Sequence, residues 1–342
     1  MTKRMIPLLI LAVILLGCAK KSSEWKENHV LEAAWVVGLV GNPLDLSVSG
    51  DKLYVAEDQG GMSIINLNDY SRQWITSFVS VSGDTLPLIK IRKVSSINNL
   101  NRLFINETDG SDLIRIIDTA NPDSMKVIDN ITGATSDVQD MRFQPITYAG
   151  SLFTYEGVFC TGRSISYGKY GEHFPGFPPY WAITSTFITP SSANGAFLDS
   201  QNLYVAAEQR GLLIYNRTSE SLIGECDLPG EAQKVVVSGN YAYLACRQDG
   251  LQIVNVSDPT APIRIGSFDT SGYATNLDIW NNYVVVSSGG GGIYLFDVTS
   301  PANPVLVDQV TDCGYVNNVR FHNGKVLVAS RDKGIVIYNL IP

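Results

Sequence analysis

The sequence predicts an all-β protein, a seven-bladed β-propeller of four-stranded antiparallel blades, closed by an N-terminal strand that completes the last blade. Three observations predict this fold. A six-residue strand pattern recurs along the chain with Asn or Asp in its fifth place. Short β-branched and aromatic runs, bounded by Gly, Asn and Pro, flank each copy, as is typical of strands. Four strands in each unit of roughly 42 residues is the make-up of a propeller blade.

The recurring strand indicates the number of blades. Its Asn or Asp anchors are Asn66, Asp118, Asn216, Asn255, Asp297 and Asn339. Successive anchors lie 52, 98, 39, 42 and 42 residues apart, so the interval of 98 predicts two repeats. One of them is a degenerate third blade at about residues 134–190, which brings the total to seven. We expect each anchor side chain to hydrogen-bond to the backbone of the turn that follows it.

The other strands of each blade occupy fixed places around the anchor strand. A second strand precedes it, as at residues 52–57 and 241–246, and a shorter, more polar inner strand comes earlier, as at residues 234–238. A fourth strand follows the anchor, as at residues 74–78 and 263–268. The runs are rich in β-branched and aromatic residues, which favour strands.

The two ends of the chain predict how the ring closes. The last repeat stops at Pro342, directly after its third strand, whereas residues 31–40 read as a fourth strand with no preceding three. We therefore expect residues 31–40 to complete the last blade and cover an edge that would otherwise be exposed. The propeller domain is predicted to span residues 31–342.

Two segments resemble a known family. They are Gly250-Leu-Gln-Ile-Val-Asn-Val-Ser-Asp-Pro-Thr-Ala-Pro262 and Gly292-Ile-Tyr-Leu-Phe-Asp-Val-Thr-Ser-Pro-Ala-Asn-Pro304, which are similar to the LVIVD-repeat family of bacterial and archaeal surface β-propellers. Weaker similarity extends over residues 42–133 and 191–342. The resemblance implies a surface propeller and supplies no catalytic residue. Propellers host many activities, so the fold alone assigns none.

The N-terminus is typical of a bacterial lipoprotein. Lys3 and Arg4 precede an apolar run at residues 5–16, which is shorter than the roughly 20 residues that span a bilayer and suits a signal peptide. The following Leu-Leu-Gly-Cys18 resembles a lipobox, whose cysteine is acylated and becomes the new N-terminus. We predict a signal peptide at residues 1–17, and lipidation of Cys18 with chains such as palmitate. Alternatives are an uncleaved anchor and an ordinary secretory signal.

A polar segment at residues 18–30 follows the predicted lipid site and reads as a tether. More than one acyl chain is needed for stable anchoring. Residue 19 is Ala rather than Asp. By resemblance to bacterial lipoproteins, this residue after the lipidated cysteine disfavours retention in the inner membrane. The predicted location is the bacterial cell envelope, with the outer membrane as the site if the cell has one.

Charge and motif content exclude several classes of function. The formal net charge is −8, and an acidic surface repels phosphate backbones, so no nucleic-acid partner is expected. The histidines lie far apart at His29, His173 and His322, with no Cys or acidic residue at ligand spacing, so no metal or other cofactor is expected. No nucleophile elbow or Ser-His-Asp pattern occurs, so no catalytic residue is assigned. Four later cysteines read as small buried hydrophobes, with disulfides as the alternative: Cys160, Cys226, Cys246 and Cys313.

One face of the propeller is a candidate binding surface. The turns between second and third strands, and the links into the next inner strand, open on the same face and carry both signs of charge together with amides. The candidate residues are Glu57, Glu107, Glu208, Arg247, Arg331, Asn276 and Asn317. The alternative is a solvated rim without a ligand.

A second candidate is the aromatic, proline-rich stretch at residues 167–181. Aromatic rings on a stiff loop can bind a sugar or a peptide at low entropic cost. The candidate residues are Tyr170, Phe177, Tyr180 and Trp181. The alternative is an insertion whose rings pack on the neighbouring blade.

These features together predict a non-enzymatic binding or scaffold lipoprotein, a monomer held to the membrane by its N-terminal lipid. We expect a protein or glycan ligand on one propeller face. The alternative is a propeller-type glycoside hydrolase or polysaccharide lyase at the cell envelope. Carboxylates or a histidine converging in the central channel would favour the enzyme, and a polar channel without such convergence would favour binding.

Overall fold

The computed structural model describes residues 30–108, 113–132, 138–145, 155–171 and 180–341. For residues 180–184 and 187 only the backbone is described. The predictions made for Cys18 and Phe177 therefore lie outside the described residues, as do those for the side chains of Tyr180 and Trp181.

In the described part of the chain, thirty strands form seven sheets. β1 (Leu31–Val37) belongs to the last blade. The first two blades contain β2 (Asp45–Ser49), β3 (Lys52–Ala56), β4 (Met62–Asn66), β5 (Arg72–Ile75), β6 (Ser77–Ser80), β7 (Thr85–Pro87), β8 (Ile91–Ile97), β9 (Arg102–Glu107), β10 (Leu113–Asp118) and β11 (Lys126–Ile131). The next two contain β12 (Val138–Pro145), β13 (Tyr155–Thr161), β14 (Ser164–Gly171), β15 (Tyr180–Ile188), β16 (Gly195–Leu198), β17 (Asn202–Ala206), β18 (Leu212–Asn216) and β19 (Leu222–Cys226).

The last three blades contain β20 (Lys234–Ser238), β21 (Tyr241–Ala245), β22 (Leu251–Asn255), β23 (Ile263–Phe268), β24 (Asn276–Trp280), β25 (Tyr283–Ser287), β26 (Ile293–Asp297), β27 (Val305–Val310), β28 (Val316–His322), β29 (Lys325–Ser330) and β30 (Gly334–Leu340). Two short 3-10 turns lie at Asn98–Leu100 and Pro122–Ser124. The architecture is the predicted seven-bladed propeller of four-stranded antiparallel blades.

The N-terminal strand closes the ring as predicted. β1 pairs antiparallel with β30, so the last blade has the strand order β1-β30-β29-β28. The backbone N–H of Ile341 donates to the carbonyl of Val30 at 2.8 Å, and the N–H of Leu31 donates to Asp308 of the preceding blade at 2.8 Å. The outer edge of β30 is thereby covered, which removes an exposed hydrogen-bonding edge.

Blade 2 carries an addition that the sequence does not reveal. The predicted fourth strand at residues 74–78 divides: β5 stays in blade 1, while β6 pairs in parallel with β11 of blade 2. β6 and β7 form a hairpin that extends blade 2 to six strands. Burial of Phe78 in the core shared by blades 1 and 2 accounts for the departure of the chain from blade 1 after Ile75.

Blade 3 is formed by β12 to β15, each pairing antiparallel with the next. Tyr170, a candidate binding residue of the predicted aromatic loop, is a residue of β14 with a fully buried ring, as the alternative of packed rings expected. Its ring stacks on Tyr155 with centroids 4.6 Å apart. The alternation of side chains along β14 turns Tyr170 inward, so it is not available to a surface ligand.

The repeated anchors have the predicted role in five blades. The side-chain oxygen of Asn66 accepts from the N–H two residues further on at 2.9 Å, and Asp297 does so at 2.7 Å. The same contact occurs at Asp118, Asn216 and Asn255. Asn339 differs, because its side-chain oxygen accepts from Lys325 Nζ at 3.0 Å.

The core lies between neighbouring blades. The second and third strands are almost entirely buried on both faces, as at Leu53, Val55, Ile65, Leu327 and Ile337 between blades 7 and 1. Full burial of such a side chain contributes roughly 1.5–3 kcal/mol. The four cysteines within the described residues are all buried and unpaired, and burial raises the pKa of the Cys313 thiol to about 11.

Among the described residues, a repeated clasp joins neighbouring blades at four junctions, on the face of the second-to-third-strand turns. The N–H and carbonyl of Glu208 pair with Ala232 at 3.2 and 2.8 Å, and Arg247 pairs in the same way with Ala274. Asp58 makes the equivalent clasp with Ile91. The clasp requires a positive φ, which is 41° at Glu208, 39° at Arg247 and 51° at Asp58. Blade 6 has a glycine in this place, residue 289.

We predict that Glu208→Gly keeps or raises stability, by up to about 1 kcal/mol, because glycine adopts a positive φ without the cost borne by other residues. Glu208→Val should lower the free energy of unfolding by about 1–2 kcal/mol, since branching at Cβ disfavours this conformation. The measurement is equilibrium denaturation. As a control, Ser267→Gly within the exposed part of β23 should cost about 0.5–1 kcal/mol. A larger loss for Glu208→Gly than for Glu208→Val would contradict the clasp.

Candidate functional site

The central channel is formed by the innermost strands, one from each blade. β2, β8, β12, β16, β20, β24 and β28 each contact the next, and β28 contacts β2 to close the ring. Each of these strands is the unpaired edge of its sheet. Alternate side chains on a strand share a face, so the cross-strand register defines two equivalent tiers of residues around the channel.

The upper tier lies nearer the clasps. The lower tier lies two residues further along each inner strand, towards its C-terminal end. The upper tier comprises Asp45, Lys93, Asp140, Gly195, Lys234, Asn276 and Asn318. The lower tier comprises Ser47, Ser95, Arg142, Phe197, Val236, Asp278 and Arg320. Three aspartates and four cations therefore meet in one narrow space, in a chain whose overall charge is negative.

The three aspartates satisfy the free edges of neighbouring inner strands. Asp45 Oδ2 accepts from the N–H of Val94 at 3.0 Å, and Asp140 Oδ2 accepts from the N–H of Ala196 at 3.0 Å. Asp278 Oδ2 accepts from the N–H of Phe321 at 2.8 Å. Buried backbone donors require a partner, so each carboxylate is held in place by the blade that follows its own.

Two of these carboxylates also bind polar side chains from other blades. Lys234 Nζ of blade 5 lies 2.7 Å from Asp140 Oδ1 of blade 3. The intervening upper-tier residue is Gly195, which has no side chain to stand between them. Asn318 Nδ2 donates to Asp45 Oδ1 at 2.7 Å and so links blades 7 and 1.

The two lower-tier arginines are held less completely. Arg320 Nε donates to the carbonyl of Leu46 at 3.3 Å, and its Nη1 donates to Asn276 Oδ1 at 3.3 Å. Arg142 Nε is 3.5 Å from Asp140 Oδ2 and, among the described residues, has no hydrogen-bond partner. About 29% of the Arg142 side chain is accessible, and it lines the channel cavities together with Arg320.

The pKa shifts in the channel follow from burial and from the charges of both signs. Burial opposes ionisation of Asp140, but the charges of Lys234, Arg142 and Lys93 hold its pKa well below the usual range. Burial, assisted by the charge of Arg142, lowers the pKa of Lys234 to about 7. Burial and Arg142 also lower the pKa of Arg320. Burial opposes the charge of Arg142 as well, but Asp140, Asp45 and Asp278 raise the pKa of this arginine. Asp140 and Arg142 therefore stabilise each other's charged forms.

The channel contains two cavities that share the two arginines. The upper cavity has a volume of about 210 Å³ and includes Asp45 and Asp140. The lower cavity has a volume of about 240 Å³ and combines the polar residues Arg142, Gln144, Asp278 and Arg320. Its apolar wall consists of Phe143, Phe197, Leu198 and Val236. This combination of an apolar wall with a few converging polar groups is typical of a small-molecule site.

Two predicted rim residues prove to be buried. Glu57 and Glu107 have no exposed surface. Glu57 Oε2 accepts from the N–H groups of Val40 and Gly41 at 3.1 and 3.0 Å. Glu107 Oε1 accepts from the N–H of Ile89 at 3.1 Å, and Arg115 Nε lies 2.5 Å from its Oε2. Both carboxylates cap the link that enters their blade, which corrects the expectation that they face a ligand on the rim.

The other predicted rim residues lie in different places: in the clasps, on the exposed surface or near the channel. Glu208 and Arg247 supply backbone to the clasps, and the Arg247 side chain pairs with Glu231 at 2.5 Å. Arg331 is exposed and lies over the ring of Tyr315, 4.5 Å from its centroid.

The two predicted amides lie near the channel. Asn276 belongs to the upper tier and accepts from Arg320, whereas Asn317 Nδ2 donates to Asn42 Oδ1 at 3.0 Å and to the carbonyl of Pro43 at 2.8 Å. Of the predicted rim residues, Asn276 is therefore the one that the structure brings to the charged cluster. The set is otherwise dispersed and forms no common site.

Sequence reasoning missed the channel arginines and aspartates. Their signal was present in the inner strands, where polar residues stand two apart, as in Asp140 and Arg142 or Asn276 and Asp278. Aligning the seven inner strands by blade would have placed these residues in one ring. In the part of the chain that the structure describes, no group of three or more His, Cys, Asp or Glu side chains could hold a metal ion.

The fold and the polar channel define the class of protein: a ring-closed β-propeller with a charged central channel. The LVIVD repeat matches residues 40–72, 229–270 and 271–312, which fall in blades 1, 5 and 6. Over these three regions the chain is similar to the LVIVD repeat family, as its sequence resemblance implied, and its fold is a β-propeller. No curated protein matches the chain. Within the described residues, no helix is both long and apolar enough to cross a membrane.

We predict that Asp140→Asn lowers the free energy of unfolding at pH 7 by about 3–5 kcal/mol, because Lys234 and Arg142 would lose their carboxylate partner in a buried site. In the wild type the pKa of Asp140 lies below its value in the unfolded chain. Its stabilisation is therefore complete above about pH 4 and is lost as the pH falls further.

Denaturation of both proteins between pH 7 and pH 3 tests this prediction, and the difference between them should narrow towards low pH. The exposed Asp227→Asn serves as the control and should change stability by less than about 0.5 kcal/mol. A difference between wild type and Asp140→Asn that widens as the pH falls would contradict the assignment.

Proposed function

We propose that this chain is a non-enzymatic binding propeller, tethered to the bacterial cell envelope, that receives a group of its ligand in the central channel. The observation that carries the proposal is the lower cavity, where incompletely paired arginine donors face an apolar wall. The exposed rim residues, by contrast, are separated from one another. A protein or a glycan could present the group that enters the channel.

The state of the channel carboxylates supports binding over hydrolysis. A glycosidase needs two carboxyl groups across the scissile bond, one of them with a raised pKa so that it can act as the acid. Asp45, Asp140 and Asp278 each accept from a backbone N–H of the next blade. The pKa of Asp140 is lowered rather than raised. These groups are arranged as structural anchors for the strand edges.

The expected lipid at Cys18 would hold the propeller by its closing strand. β1 begins at Leu31, and its first residues lie beside Ile341 and the turn at Gly324. That turn joins first and second strands and so lies on the face opposite the clasps. The proposed tether, residues 18–30, could extend about 45 Å and would join the propeller on the face opposite the clasps.

The proposed binding function predicts capture without turnover. The chain lacking residues 1–18 should retain a ligand from glycan and peptide arrays, and Arg142→Gln should weaken that retention. The arrays decide between the two ligand classes. Incubation of any captured glycan or peptide should leave it intact by mass spectrometry; the appearance of a cleaved product would contradict the non-enzymatic function and favour the hydrolase or lyase.

The anchor predicts that Cys18→Ser releases the chain from the membrane fraction and abolishes incorporation of labelled palmitate, because the serine cannot form the thioether. The control Ala19→Ser leaves the cysteine intact and should stay with the membranes. Unchanged membrane retention of Cys18→Ser would show that something other than lipidation holds the chain.

A further inference from the structure

We propose that the lower cavity binds a small organic anion, whose carboxylate or phosphate group sits between Arg142 and Arg320 while its apolar body lies against Phe143, Phe197 and Val236. The proposal rests on the proposed binding function and specifies the chemistry of the ligand. Both arginines line this cavity, and both are also lower-tier residues of the ring.

The charge of the cavity is the first argument. Among its lining residues, the two guanidinium groups face a single carboxylate, Asp278. The other two channel aspartates lie in the upper tier, where Asp140 pairs with Lys234 and Asp45 binds Asn318. The residues that line the lower cavity therefore carry one more positive charge than negative, and Arg142 shares the carboxylate of Asp140 with Lys234. A space enclosed by protein strengthens the attraction of such a charge for an anion.

The free donors of the arginines are the second argument. Arg142 Nε is buried 3.5 Å from Asp140 Oδ2, whereas the Nη1 and Nη2 groups of Arg142 make no hydrogen bond to any described residue. The hydrogen bonds of Arg320 use its Nε and Nη1. Guanidinium groups donate in a planar fork that matches carboxylate and phosphate oxygens, so an oxyanion would satisfy donors that the folded chain leaves open.

The wall of the cavity is the third argument, and it favours an organic anion over an inorganic one. Phe197 and Val236 occupy lower-tier positions on β16 and β20, where other blades carry polar residues. Phe143 adds a ring beside Arg142. An apolar body on this surface would be removed from water, while the volume of about 240 Å³ limits it to a small group.

The acidity of the rest of the chain is consistent with selectivity at this site. The sequence carries a net charge of −8, so anions are repelled from most of the surface and attracted at the channel. The pKa of Lys234, about 7, gives a further consequence. A bound anion would raise that pKa, so binding near pH 7 should be accompanied by proton uptake.

The test is a calorimetric titration of the chain lacking residues 1–18, whose seven sheets are all built from residues 31–340. The probes are benzoate, phenyl phosphate, inorganic phosphate and the neutral isostere benzamide. We expect benzoate or phenyl phosphate to bind, and the stronger of the two identifies the oxyanion. Inorganic phosphate should bind at least about tenfold more weakly, because it lacks the apolar body. Benzamide binding as tightly as benzoate would overturn the proposal.

Variants separate the site from general charge. Arg142→Gln and Arg320→Gln should each weaken binding about tenfold or more, since charge-assisted bonds are the stronger ones. Val236→Phe should also block binding, by volume and without any change of charge. Arg331→Gln removes an equal charge from the exposed clasp face and should bind as the wild type does.

Thermal melting of every variant shows whether it is folded at the temperature of the titration. Should Arg320→Gln fail to fold, Arg142→Gln and Val236→Phe still decide the question, because Arg142 makes fewer structural contacts. Wild-type affinity in folded Arg142→Gln and Val236→Phe proteins would refute the site.

The failure of this inference can be told apart from that of the proposed function. If the arrays capture a partner but no organic anion binds in the channel, the binding function stands and the anion site is wrong. If a captured partner is cleaved while benzoate still binds at Arg142, the site stands and the non-enzymatic function is wrong.

Discussion

The inner strand of each blade has only one hydrogen-bonded neighbour, and this constraint determines the chemistry of the channel. Ring closure brings seven such edges together around one axis, where buried N–H groups need acceptors. Short acidic and hydroxyl side chains reach across to the next blade; besides the aspartates, Ser47 Oγ accepts from the N–H of Ser96 at 2.9 Å. Carboxylates placed for this purpose then require cations, because uncompensated buried charge is costly.

The cations exceed that requirement, and the excess is what gives the channel a plausible function. Four cationic side chains stand against three aspartates, and the extra cation is in the lower tier, which also holds Phe197 and Val236. A purely structural network would place each charge opposite a partner. Arg142 departs from that pattern, since it shares the carboxylate of Asp140 with Lys234 and also lines a cavity.

Ring closure by β1 and the clasps stabilise the parts of the blades that lie outside the channel. β1 covers the outer edge of β30, while the clasps join blades on one face through backbone alone. The residues that form clasps can therefore vary, as Asp58, Glu208, Arg247 and a glycine do, provided that they accept a positive φ. Because the clasp uses only the backbone of these residues, it does not bring their charged side chains together.

The repeat was readable from sequence because each blade obeys the same local rules. The anchor turns, the blade count and the closing role of residues 31–40 follow from strand pattern and turn chemistry. The burial of Glu57 and Glu107 could not be predicted from sequence. A carboxylate at the end of a strand gives no sign that it will accept hydrogen bonds from the link that enters its blade. The hairpin of β6 and β7 could not be predicted either. It joins blade 2 rather than blade 1 because Phe78 is buried there.

The channel site escaped prediction for a further reason. Arg142 and Asp140 lie in blade 3, where the repeat pattern is weakest, and Arg320 is far away in the chain. The two arginines meet only through ring geometry, which single strands do not encode. Polar residues on an inner strand are also ordinary in themselves. Only their alignment across all seven blades shows that charges of both signs meet at one level.

The most direct measurement is a crystal structure of the chain lacking residues 1–18, soaked with 4-bromobenzoate and recorded at the bromine absorption edge. The account predicts one anomalous peak within the channel, against Phe197 and Val236, with the carboxylate on Arg142 and Arg320. An empty channel with bromine elsewhere on the surface, or a carboxylate turned away from both arginines, would contradict it.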